Sequence, residues 1–469
     1  MNRTHGGTVC AEVSVAVADG HGLRKAWEWF AQGSSLADLR LHGNVGWQPS
    51  QLVVLAVLWV WAEHRNLTGA FAQACRLSQD ILGYRAVASY ASFTSALRKY
   101  GDELLSRLWA QFHCRMEASA EAYWRIGQWL ALAVDGSRVS TARTISNERA
   151  FAAQNFGKGG RGKSRTKWKN KRRRSKPLCE PVKPQIWLTL IWHMGLKMPW
   201  CWKTGPSTAC ERHHFAELLE TQKFPEKTMF CGDAGFTGFE LWKSILAHGC
   251  QFLMRVGGNV RLLRKLGKVR HDNGLVWLWP DDARRRGEAP LMLRLIECQG
   301  PRGKIYLVTS VLSERDLSIK QASQLYRLRW GVELQFRTFK QTFGRRKLRS
   351  RTAENALCEL DWSLVGLWLI QLFAVKEQIR VDSPPEQSSA ALALNVVQDA
   401  MRNWTGTEST PKYLARGLRA AVKDEYERHS SKTARYRPHF KDPPSATKPK
   451  IKNASPTQRK AHRQLNAVA

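Results

Sequence analysis

Three carboxylates in this chain stand where divalent cations could be held. Asp135 closes the apolar run LALAVDGS and Asp233 closes TMFCGD, so each is expected at the tip of a buried strand with a small residue next to it. Two such tips on neighbouring strands can converge on metal, because magnesium prefers hard oxygen ligands and takes only one or two carboxylates per ion. An ordinary turn aspartate after a strand looks the same locally, so neither residue is informative alone. The third carboxylate, Glu333, lies in YRLRWGVELQFRTFKQ. At about 3.6 residues per turn, Tyr326, Arg329, Glu333 and Lys340 point within an arc of roughly 60°. Leu325, Leu328, Val332, Phe336 and Phe339 form an apolar stripe directly beside that row. A merely solvated face would not enclose a glutamate among basic groups on the border of the core. The chemistry these types suggest is metal-assisted transfer at a phosphate, with Arg329 and Lys340 free to hold its oxygens.

The elements that must position these groups follow from periodicity. From Leu23 to about Tyr123 apolar residues recur at three and four, as in LVVLAVLWVWAEH and FTSALRKYGDELLSRLWAQFHCRME. At Trp124 the texture changes to strand-like runs: GQWLALAVDGS, PQIWLTLIWHM, KTMFCGDAG, CQFLMRV, LMLRLIECQ and KIYLVTSV. The helical stretch CERHHFAELLETQ and the segment FTGFELWKSILAHG separate them, which predicts a mixed α/β domain. Turn residues crowd the block 257–310, which reads as a β-rich insertion. One long helix is predicted over 318–343 and an apolar one over 355–375. The expected organisation is a flexible arm (1–22), a helical N-terminal domain that binds DNA (23–123), an α/β catalytic domain (124–256 and 311–375) interrupted by the insertion, a helical region (376–430) and a basic disordered tail (431–469).

The spacing Tyr326-x2-Arg329-x3-Glu333-x6-Lys340 resembles the YREK signature of DDE transposases of the insertion-sequence-four family. VDGSRV, GDAGF, YLVTS and LRSRTAENA are similar to segments of that family too, so the resemblance runs from about Trp124 to Val375. It implies an RNase H-like catalytic fold with a β-rich insertion between the second and third acidic residues. It implies Asp135, Asp233 and Glu333 as the catalytic triad, holding two magnesium ions, with manganese as a substitute. Tyr326, Arg329, Lys340, Arg337, Arg345, Arg346, Lys347 and Arg349 are then the expected DNA contacts. The implied activity is cut-and-paste transposition, in which the ends of an insertion sequence are cut and joined to target DNA by a homodimeric synaptic complex. A domesticated DNA binder that no longer cuts, and another RNase H-like DNA nuclease, are the alternatives.

Charge agrees with a nucleic-acid partner. The 469 residues carry 74 Lys and Arg against 39 Asp and Glu, a formal net charge of +35. A folded basic chain gains affinity for polyanions by releasing their counterions. The segment 158–176, dense in Lys and Arg, reads as a flexible clamp on DNA. Its GKGGRGKS satisfies the P-loop pattern, but no buried strand precedes it and no apolar helix face follows. Cys201, Cys210, His213 and His214 match no closed zinc spacing. Trp277 and Trp279 share one strand face and read as core, with base stacking as the alternative. The longest unbroken apolar run, Leu52 to Ala62, is too short to span a bilayer, and no secretory signal is evident. Ten scattered cysteines and no CxxC point to a reducing cytoplasm, and the resemblance implies a prokaryotic one, at the nucleoid.

Overall fold

The computed structural model describes residues 22–41, 46–83, 87, 89–152, 183–267, 274–300, 303–402, 414–423 and 447–468. The predicted arm and the basic segment with the P-loop pattern lie outside the described residues.

The strands of the described residues form one ten-stranded sheet. Its strands are β1 (Leu130–Ser140), β2 (Gln185–His193), β3 (Met198–Gly205), β4 (Thr228–Gly232), β5 (Gln251–Val256), β6 (Arg261–Arg264), β7 (Leu275–Leu278), β8 (Leu291–Gly300), β9 (Gly303–Thr309) and β10 (Lys450–Asn453). The order across the sheet is β10-β6-β7-β8-β9-β5-β4-β1-β2-β3. β1, β4 and β5 run parallel, while β2 pairs antiparallel with β1 and β9 with β5. The first five residues of β1 and all of β4 are buried, which explains why both read as continuous apolar runs rather than alternating ones.

Helices cover this sheet. N-terminal to it are α1 (Gly22–Ala31), α2 (Pro49–Trp61), α3 (Leu67–Leu82), α4 (Tyr90–Ser119), α5 (Glu121–Trp124) and, after β1, α6 (Ile145–Phe151). Within it are α7 (Glu211–Thr221), α8 (Phe239–Ala247) and α9 (Asp281–Arg285). Between β9 and β10 come α10 (Ile319–Leu328), α11 (Gly331–Gln341), α12 (Ala353–Ile379), α13 (Ala390–Arg402) and α14 (Leu414–Ala420), and α15 (Pro456–Val468) follows β10. By length and composition α12 could cross a membrane, yet most of it is buried in the protein, as a central core helix is. It joins the two ends of the chain's fold. Trp61 Nε1 donates to Gly366 O at 3.0 Å, and Trp368 stacks on Phe112 at 4.1 Å. Gly366 is required there, since a Cβ would sit 2.6 Å from Val60 Cγ2. From the other side, Trp202 of β3 donates to Asp361 at 2.7 Å.

Four expectations change. The helix predicted over 318–343 is two, because Val332 N bonds Arg329 O and Glu333 N bonds Trp330 O in a tight i,i+3 turn. That turn brings Gly331 against the Trp192 ring of β2, where any side chain would overlap it. Asp135 is not at a strand tip, since β1 continues to Ser140 along β2. The block 257–310 contains the short helix α9, and its strands continue the main sheet through the β5–β9 pairing. Part of the tail expected to be disordered is structured: β10 pairs parallel with β6, and His462 of α15 meets the Trp279 ring edge-on at 6.3 Å. Trp277 and Trp279 themselves are buried, each 5% exposed, and Trp279 Nε1 donates to Glu288 O.

Candidate active site

The strand register explains how two aspartates 98 positions apart come level. The β1–β4 ladder ends at the pair Ala133–Cys231, so Asp135 and Asp233 each stand two residues beyond it, on one face of adjacent parallel strands. Past that pair β4 leaves the sheet: Asp233 caps the short 3-10 turn Ala234–Phe236, accepting from Gly235 N at 2.7 Å. β1 continues without β4 beside it until the 346–348 segment bridges to Ser140, and Asp135 accepts from Gly136 N at 2.8 Å. Burial pushes the Asp135 carboxyl up to about 6; Gly136 N–H and Arg329 work against this, and the Asp233 and Glu333 charges add to it.

The third carboxylate arrives on α11, which docks along β1. Lys340 Nζ donates to Ser137 Oγ at 2.6 Å, fixing the helix two residues past Asp135. Burial, with the Arg346 charge, lowers the Lys340 pKa. Glu333, in the first turn of α11, accepts from Arg329 Nη2 at 3.3 Å. Arg329 is 5% exposed, and its guanidinium lies 5.5 Å from the Tyr326 ring centre. Burial opposes its charge, but Tyr326, Asp135, Asp233 and Glu333 outweigh that and hold its pKa above the ordinary value. Its Nε is buried with no hydrogen-bond partner among the described residues. Burial raises the Tyr326 pKa, while Arg329 and Arg255 of β5 oppose the rise.

The remaining predicted contacts divide. Arg337, Arg346 and Lys347 are exposed, and the last two lie where their segment bridges to Ser140 at the end of β1. Arg345 differs from expectation: it is buried, and it donates to Ser363 Oγ at 2.7 Å, Phe343 O at 2.9 Å and Val60 O at 3.3 Å. Those bonds commit its guanidinium to the interior, away from DNA. Arg349 is also held inward, by His64 O at 2.8 Å and by Glu359.

Sequence reasoning missed Glu211. It opens α7, the helix that follows β3, and its carboxylate lies beside Gly136 and Gly235, within reach of the charges of Asp233 and Asp135. A methyl group at Gly136 would overlap Glu211 Oε2, and one at Gly235 would lie 3.3 Å from Oε1. Burial, with the charges of Asp233 and Asp135, pushes Glu211 up to about 7. An acid in a first helical turn is common for dipole reasons alone, so its position carries no signal in the sequence.

No three His, Cys, Asp or Glu side chains among the described residues close on one point as a preformed metal cage. The donor types still fit a hard cation, being carboxylate oxygens without thiol or imidazole. His214, near the cysteines considered for zinc, instead pairs with Thr189 Oγ1 at 3.0 Å, and Cys201 is buried in β3.

A mixed α/β sheet that gathers carboxylates beside a buried, half-satisfied arginine is suited to metal-assisted transfer of a phosphate. The family model described as the transposase DDE domain matches residues 130–369, and the chain belongs to that family. Enzymes of this class act on DNA and depend on divalent metal. No curated protein matches the chain. Solved structures similar to it include a piggyBac transposase synaptic complex with hairpin DNA, determined by cryo-EM, at 12% identity and a TM-score of 0.37, over 91% of this chain and 87% of that one.

Proposed function

We propose that this DDE transposase is of the insertion-sequence-four type and performs cut-and-paste transposition with Asp135, Asp233 and Glu333 as its catalytic triad. What supports the reading most is the level placement of Asp135 and Asp233 beside Arg329 and Glu333 at one end of the parallel strands. The strand order β3-β2-β1-β4-β5, with only β2 reversed in direction among the five, supports an RNase H-like core over 124–256 and 311–375. The block 257–310 is then its insertion, between the second and third carboxylates.

Asp135, Asp233 and Glu333 would hold two magnesium or manganese ions, which when bound supply an activated water or 3′-hydroxyl and steady the leaving oxygen. Arg329 would set the charge of its guanidinium toward a phosphate while Nη2 pairs with Glu333. Lys340 holds α11 on β1 through Ser137 and leaves an ammonium beside the scissile strand. Tyr326 packs under the Arg329 guanidinium and restricts its swing. Arg337, Arg346 and Lys347 contribute phosphate contacts that fix register without reading sequence. Two chains would pair on the element's ends, at the nucleoid.

The test is plasmid excision from a donor carrying the gene with its native flanks. Excision by the wild type and none by Glu333→Gln supports transposition through this glutamate. Excision at equal rates by both overturns the triad. Failure of both, with tight DNA binding retained, favours a chain that binds without cutting.

A further inference from the structure

Glu211 is unexplained by a three-carboxylate site. Its side chain is half-buried and turned toward the strand ends rather than toward solvent. Among the described residues it has no ion-pair or hydrogen-bonding partner, although exposed Arg212 is its neighbour in sequence. The space it fills exists because glycine occupies position 136, directly after Asp135, and glycine at position 235, two residues after Asp233, leaves it further room. At position 136 any Cβ would overlap the carboxylate. A glutamate serving only the helix dipole of α7 would be equally stable pointing outward, without facing two other carboxylates at close quarters.

We infer that Glu211 is a fourth metal-facing carboxylate, completing the cation site formed by Asp135, Asp233 and Glu333. The inference rests on the reading of that site as a two-ion centre. Four carboxylates over two ions gives two per ion, which is within what magnesium accepts. Three would leave one ion with a single protein ligand that is not shared. Glu211 approaches from α7, on the side of the aspartates away from α11, so the ions would be gripped from two helices across the strand ends. Its role is to hold an ion, and the gap at Gly136 and Gly235 is what admits it.

The experiment is manganese binding to the full-length protein, followed by calorimetry and by electron paramagnetic resonance of the free ion. Wild type, Glu211→Gln and Asp135→Asn are compared, with melting temperatures recorded with and without manganese. Glu211→Gln is expected to weaken manganese binding by about tenfold to a hundredfold. Without metal it should melt no lower than wild type, because a crowded carboxylate loses only repulsion, whereas a structural one would lose stability. If Asp135→Asn weakens binding and Glu211→Gln does not, Glu211 is outside the centre and the triad reading stands. If neither changes binding, the two-ion reading and the fourth carboxylate fall together. A Glu211→Gln protein that melts several degrees lower without metal would assign the residue to structure and overturn the inference.

Discussion

Arg329 and Arg345 are both buried arginines from one short stretch of chain, yet the regions around them do opposite things with the charge. At the seam between α2 and α12, Arg345 finds Ser363 Oγ and the carbonyls of Phe343 and Val60, and Glu359 nearby accepts from Arg349 N, Ser350 N and Ser350 Oγ. At the strand ends, Arg329 is left with an unbonded Nε among the described residues, and Asp135, Asp233 and Glu333 share its charge. A buried charge whose donors are used up is architecture. One whose donors and neighbours are left over is prepared for something that comes from outside.

Substitutions can break that contrast. Glu333→Gln should reduce strand cleavage on the order of a thousandfold or more, since several kcal/mol of charge stabilisation goes with the ligand. A nicking assay with radiolabelled end DNA reads this, and binding of the same DNA should stay nearly intact. Arg345→Ala should instead cost about 2–4 kcal/mol of folding stability through orphaned acceptors and a cavity. Denaturant titration checks it; a stable protein with weakened DNA binding would return Arg345 to the DNA surface. Arg329→Ala should weaken binding at the cleaved end by about tenfold to a hundredfold, the worth of one charge-assisted contact. Equal loss on unrelated DNA would reduce Arg329 to general electrostatics.

The smallest effect concerns pH. In the packed region between β3 and α12, burial pushes Asp361 from its ordinary 3.8 up to about 7, against the pull of the Trp202 N–H. The unfolded chain releases this proton first, so the group's contribution falls as pH rises from about 4 to about 7 and is level above. Asp361→Asn should flatten that part of the stability curve, read as melting temperature between pH 4 and 8. An unchanged slope would mean that Asp361 is ionised throughout.

Legibility in the sequence followed the same division. Asp135, Asp233 and the row from Tyr326 to Lys340 could be named because each sits in a local pattern: an apolar run that ends, or a stripe with a fixed period. The strands of the catalytic sheet were readable for the same reason. The turn at Arg329–Trp330 was not, because the apolar period continues through it and its cause is the distant ring of Trp192. Arg345 looked like its exposed neighbours Arg346 and Lys347, and only the α2–α12 packing separates them. Glu211 needed a glycine on β1 and another in the 3-10 turn after β4 to become visible. β10, written KIKN, carries almost no apolar signal and is a strand only because β6 offers it an edge.

That edge has a consequence for how the chain is made. β10 lies 186 residues after β6 in synthesis, so the ribosome finishes the other nine strands while one border of the sheet is still open. During that interval the exposed Arg261 and Arg264 on β6 act as gatekeepers, discouraging nascent chains from adding to each other's borders. Once Lys450–Asn453 docks, Ala454 N bonds Arg264 O at 2.8 Å, and a short strand bearing Lys450 and Lys452 becomes the border in place of β6. Chains released early would therefore carry a folded catalytic centre and an unprotected flank, and would be the ones lost to aggregation.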